Sequence, residues 1–260
     1  MNILSLVTDL ILAAYIVWET VGFVPRYRRL KQEIANGDRQ ARTRVYQRIL
    51  VFEWVSAALA LVALRFDWSK LNPKSLALEG TRLMQSLTLP PGAGRGALLG
   101  MFSGVVIGGV GFAIALRRRN RRGATPAASE ASGWRSRIMP DFTALIPATT
   151  NERLLYAAAA VSAGICEELV FRGWLLSVLH SPIGLTGTAL VVVAAAIFGA
   201  AHLYQKVAGT ILTALAGLLF CALYIATGSL LVPILLHIVI DVRFAFMPAP
   251  TAAKPQAAYA

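Results

Sequence analysis

Charge is scarce in this chain. Only 15% of its 260 residues are Asp, Glu, Lys or Arg, against roughly 25% in soluble domains. With 57% hydrophobic residues and a mean hydropathy of +0.62, a water-solvated globule is excluded. Cysteine is nearly absent. Cys166 and Cys221 both fall in apolar stretches, which gives neither a disulfide framework nor a CxxC metal site. They read as small hydrophobes. A basic n-region and a small-residue cleavage site are also missing at the N-terminus, so the first apolar span reads as a retained helix rather than a removable signal.

What is present is a series of long apolar runs. A helix needs about 20 apolar residues to cross the hydrocarbon core. Candidates run from about residues 3 to 24, 49 to 66, 97 to 116, 154 to 179, 184 to 203, 207 to 226 and 230 to 246. The expectation is an all-α fold: a polytopic transmembrane helical bundle of about seven spans, with room for an eighth, re-entrant or interfacial helix near residues 140 to 150. In the third span Gly100, Gly104 and Gly108 fall on one stripe, a spacing that lets helices approach closely.

The few charges are unevenly placed. Residues 25 to 48 carry "RYRRLK" and then Arg39, Arg42, Arg44 and Arg48; residues 117 to 122 read "RRRNRR". The formal net charge is +12. Cations beside apolar spans signal positive-inside topology and attraction to anionic lipid headgroups. No basic and aromatic domain is there to bind nucleic acid, and no nucleic-acid partner is expected. The two Arg-rich connections are expected in the cytoplasm, the N-terminus outside and the C-terminus inside. Residues 122 to 133, "RGATPAASEASG", read as a flexible linker. The organisation is therefore a three-span region over residues 1–121, a linker over 122–140, a four-span region over 141–247, and a disordered tail over 248–260.

Nearly all candidate chemistry follows the linker. "GICEELVFRGWLL" places Glu167, Glu168 and Arg172 in an apolar helix. Glu168 and Arg172, four apart, share a face and can pair. Glu167 points about 100° away and has no local partner. His202 ends "FGAAH", and His237 and Asp241 share a face in "HIVID". Phe198, four before His202, is expected to shield that face from lipid. His180 reads as a solvated cap or loop residue. Carboxylate and imidazole side chains on separate spans suit two chemistries. One is a zinc site with an open position for water. The other is activation of water by Glu and His, with other donors left for an oxyanion. Either one hydrolyses an acyl bond. Asp9, Glu19 and Glu53, in the earlier spans, each lie within a turn or two of a span's end or could pair with nearby arginines, and they read as structural or topological.

The ordered set EELVFRG, FGAAH and HIVID resembles the EExxxR, FxxxH and HxxxD/N motifs of the CPBP intramembrane protease family. That family includes CAAX prenyl proteases and bacteriocin-processing or immunity proteins. The resemblance covers about residues 150 to 245. It implies a membrane-embedded endopeptidase in which Glu167 activates water with His202 assisting, and His237 and Asp241 stabilise the oxyanion or complete a metal site. Glu168 with Arg172 would hold the first motif in shape. A Zn2+ ion on Glu167, His202 and His237 and a metal-free glutamate mechanism are both compatible with it. The implied partner is a peptide substrate, prenylated or otherwise membrane-associated; the arginine-rich connections and the lack of a recognised eukaryotic targeting signal favour a bacterial inner membrane as the location. The alternatives are a non-catalytic scaffold or bacteriocin-immunity factor of the same fold, and a proton-coupled transporter, for which the paired half-structures of inverted repeats are missing.

Overall fold

The computed structural model describes residues 3–72 and 141–247. Among them are six helices and no strand: α1 (Ile3–Ala35), α2 (Ala41–Ala63), α3 (Thr150–His180), α4 (Gly187–Ala200), α5 (Lys206–Thr227) and α6 (Leu231–Val242). Short 3-10 turns at Trp68–Leu71, Thr143–Leu145, Leu203–Gln205 and Arg243–Phe246 flank them. Four of the six, α1, α2, α3 and α5, are long and apolar enough to cross a membrane. The all-α expectation holds. The count of seven spans is not reached among the described residues. The third expected span with its glycine stripe, the linker and the tail all lie outside them. Near residues 140 to 150, where an eighth helix was expected, the chain makes only the Thr143–Leu145 turn before α3.

Helix ends follow local chemistry. Thr149 and Glu152 form a capping box, each side chain accepting from the other residue's backbone N–H, and this starts α3. Gly228, at φ +69°, closes α5 in the left-handed conformation that a Cβ disfavours. The first helix runs eleven residues past its expected end. Pro25 lies inside it, so "RYRRLK" extends the helix instead of forming a loop.

α3 is the hub. It packs against α2 on one side and α6 on another, while α4 pairs with α5 and α1 with α2. Its alanine-rich first half makes this close contact feasible, since small residues let helix backbones approach. A Cβ on Gly164 would sit 2.5 Å from Ile238 Cγ1 and 3.0 Å from the Ile238 backbone nitrogen. Trp54 on α2 donates to Ser162 Oγ on α3 at 3.1 Å, and Trp174 on α3 donates to Asp9 Oδ1 on α1 at 2.7 Å. The apolar side chains not used in packing point outward, among them Leu10, Val17, Trp18 and Val21 on α1, as expected of a lipid-facing surface.

Two features set the depth of the site. Residues Leu169–Leu175 of α3 are π-helical, an insertion that widens one turn and recurs at functional sites. α4 is only 14 residues long, about 21 Å at 1.5 Å per residue, so its C-terminus ends inside the thickness of the bundle.

Candidate active site

Glu168 and Arg172 are buried together, at 0% and 1% exposure. Arg172 Nη1 donates to Glu168 Oε1 at 3.1 Å, and Nη2 donates to the Gly217 carbonyl on α5 at 3.3 Å. Its guanidinium also lies 4.4 Å from the centre of the Phe198 ring and 5.1 Å from that of Phe220. A desolvated cation gains about 2 kcal/mol from such a ring. Phe198 is therefore an inward wall of the arginine pocket, 2% exposed, and not the lipid shield that its spacing suggested.

The same carboxylate oxygen, Glu168 Oε1, contacts His237 Nδ1 at 2.9 Å. A carboxylate held by an arginine accepts, so His237 carries its hydrogen on Nδ1 and turns Nε2 away. His202 is set in a parallel manner. Its Nδ1 lies 2.9 Å from the Phe198 carbonyl. A carbonyl can only accept, so Nδ1 carries the hydrogen there and Nε2 faces the other way.

Both Nε2 atoms face Glu167. Glu167 Oε2 lies 3.9 Å from His202 Nε2 and 3.9 Å from His237 Nε2. It is buried without a hydrogen-bond donor among the described residues. Asp241 Oδ2 is 3.5 Å from His237 Nε2. The six residues singled out in the sequence thus converge from three elements. Glu167 sits mid-helix and His202 at a helix end, yet they meet because the two antiparallel arms match. Thirteen residues separate Glu167 from His180, and fifteen separate Gly187 from His202, which are equal depths to within about 3 Å.

These atoms line a cavity of about 930 Å³, mostly apolar, that reaches from α1 and α2 to α5 and α6. His180 lies elsewhere, its Nδ1 3.1 Å from the Leu185 carbonyl in the turn after α3. Cys166 and Cys221 are buried free thiols.

The earlier acidic residues divide. Glu19 is paired, with Arg26 at 2.5 Å and Arg48 at 2.8 Å, and Asp9 accepts from Trp174. Glu53 departs from the expected arginine pairing. It is 5% exposed and lines the same cavity as Glu167, where the two carboxyls interact electrostatically. The signal was legible on α2: Ser56, Ala57 and Ala60, all buried, stand three, four and seven residues after Glu53 and mark its packing face.

Glu167, His202 and His237 are donor types that suit zinc. Two ligands on one tetrahedral zinc lie about 3.3 Å apart, given bonds of about 2.0 Å, and the two separations here are 3.9 Å. Among the described residues no three His, Cys, Asp or Glu side chains are grouped closely enough to hold an ion. As placed, the residues do not fit a bound metal. The gap admits a water in hydrogen-bonding range of the carboxylate and an imidazole.

The fold and the site define an integral membrane helical protein with a carboxylate–imidazole centre buried among its spans. Residues 149–243 match the family model of type II CAAX prenyl endopeptidases, Rce1-like, in agreement with the CPBP resemblance of the three motifs that this segment carries. No curated protein and no solved structure matches the chain.

Proposed function

We propose that this protein is an intramembrane endopeptidase in which Glu167 activates a water against a peptide bond. One observation carries the reading: a buried carboxylate oxygen without a hydrogen-bond donor, equidistant from two imidazole nitrogens oriented by other groups. A water in that gap hydrogen-bonds to Glu167 Oε2 and His202 Nε2. Glu167 takes its proton as the water oxygen bonds to the scissile carbonyl carbon. The carbonyl oxygen gains the negative charge, and His237, protonated on both ring nitrogens between Glu168 and Asp241, turns its Nε2 hydrogen toward it. When the C–N bond breaks, the proton held on Glu167 passes to the leaving nitrogen. The products are a carboxylic acid and an amine, which exchange a proton to become a carboxylate and an ammonium, and the enzyme is restored.

The cavity supports the substrate class. At about 930 Å³ and mostly apolar, it lies at the upper end of ligand-pocket sizes and suits a peptide bearing a prenyl or similar apolar chain. A zinc ion drawn in by movement of Glu167, His202 and His237 would supply Lewis-acid polarisation, but the steps above need only the residues. The proposed location is a bacterial inner membrane.

The test is cleavage of a peptide library, lipidated and unlipidated, by purified protein in detergent. Glu167→Gln and His202→Ala are expected to lower turnover by about 10²–10⁴-fold while the helical circular dichroism is kept. Undiminished cleavage by both variants refutes the reading and leaves a scaffold or immunity factor. Loss of wild-type activity with phenanthroline, restored by zinc, assigns the metal-dependent form; insensitivity assigns the glutamate form.

A further inference from the structure

We propose that Glu53, supplied by α2 from outside the family-matched segment, is a positioning residue that holds the Glu167 carboxyl against the two imidazoles. This rests on the endopeptidase reading above. Glu53 is the one acidic residue of α2, and it sits on the face that packs against α3, between the lipid-exposed Trp54 and the buried Ser56. Trp54 Nε1 donates to Ser162 on α3 at 3.1 Å and so fixes the adjacent Glu53 in rotation and depth. The nearest cation in sequence, Arg48, is committed to Glu19. The Glu53 carboxyl is instead buried against the cavity that Glu167 also lines, where the two interact electrostatically.

The geometry explains why a catalytic carboxylate would need such a neighbour. Glu168, one residue on, is held by Arg172 and His237 together. Glu167 has no such clamp within its own motif: both imidazoles stand at 3.9 Å, beyond direct hydrogen bonding. The terminal torsion of a glutamate is broad and soft. A hydrogen bond between the two carboxyls, with one donor hydrogen shared, removes that freedom and leaves Oε2 aimed at the two Nε2 atoms. A displacement of about 1 Å in such a group costs about 100-fold in rate, so the contact acts on turnover and not on substrate binding.

The experiment compares Glu53→Gln and Glu53→Met with wild type and Glu167→Gln in the peptide assay, with kcat and KM separated. Gln keeps a donor toward Glu167, while Met keeps only the bulk. Glu53→Met is expected to lower kcat about 10–100-fold at unchanged KM, and Glu53→Gln to restore it to within about 3-fold of wild type. Full turnover by Glu53→Met, or a Glu53→Gln as slow as Glu53→Met, overturns the proposal. Either result can occur while Glu167→Gln stays dead, so the endopeptidase reading is judged separately. A second arm needs no activity. The melting-temperature losses of Glu53→Met and Glu167→Met are expected to fall well short of additive in the double variant, as for groups in contact. Additive losses also overturn the proposal.

Discussion

Two adjacent glutamates on one helix are put to opposite uses by the groups around them. Glu168 is held through Oε1 by both Arg172 and His237 and lies at 0% exposure; Glu167, about 100° around the helix, has no such clamp. Breaking a buried pair by removing one partner costs about 3–5 kcal/mol, because a desolvated charge is left behind. Arg172→Met is therefore expected to lower stability by that amount, read as an early melting transition in detergent, and to release His237 Nδ1 from its fixed acceptor. Arg172→Lys is expected to recover little, since a single ammonium cannot reach Glu168, the Gly217 carbonyl and two ring faces at once. A lysine variant that melts with wild type would show the guanidinium contacts to be dispensable. At this scale much was legible in the sequence. The four-residue spacing gave the Glu168–Arg172 pair, and the absence of a local partner singled out Glu167. Two things were not legible. The double use of Glu168 Oε1 arises from tertiary packing of α6, and Glu53 was hidden because charges near arginines in sequence suggest pairing with them.

At the level of elements, close helix approach positions the histidines. Gly199 lies between Phe198 and His202 in sequence, where α4 meets α5. A Cβ there would sit 2.8 Å from the Thr210 carbonyl oxygen and 2.7 Å from Ala214 Cβ. A backbone oxygen cannot rotate away, so the helices would have to separate. Gly199→Val is expected to destabilise by about 1–3 kcal/mol, the usual cost of overpacking. Cleavage is expected to fall further than the unfolded fraction explains, because His202 moves with the end of α4. A variant with wild-type turnover would place the control of His202 elsewhere. The π-helical stretch just after Glu168 had no signature in the apolar pattern, which matches an ordinary helix equally well. The shortness of α4 also escaped, because apolar residues continue past its end into a turn. Hydropathy reports which residues avoid water, and it does not report where the hydrogen-bond ladder stops.

Among the described residues, most of the cations gather at one end. The C-terminal part of α1 and the start of α2 carry Arg26 to Arg48, and Lys206 opens α5. These meet the segment before α3: Lys31 and Lys206 pair with Asp141 at 2.9 and 3.3 Å, and Arg42 donates to the Ala144 carbonyl. The topology proposed from the positive-inside rule has this end in the cytoplasm. An Asp38→Cys thiol is expected to label only from the inner face, and Ser69→Cys only from the outer one, in vesicles of known orientation; the reverse pattern would invert the proposed topology. Asp141 at this end also ties α1 to α5. Burial alone would raise its carboxyl, but the hydrogen bonds and charges of Lys31 and Lys206 outweigh it and hold the group below its ordinary value of 3.8. A carboxylate depressed in the folded state contributes stability that is complete above the unfolded value and lost as pH falls through the folded one. The contribution is small, about 1 kcal/mol or less, because both lysines are partly exposed and solvent screens them. Melting temperature followed from about pH 6 to about pH 3 is thus expected to fall less steeply in Asp141→Asn than in wild type, with the two curves converging at the acid end. If the asparagine variant lost stability as steeply as wild type, the acid sensitivity would lie with other carboxylates, and the Lys31–Asp141–Lys206 tie would not be what joins α1 to α5.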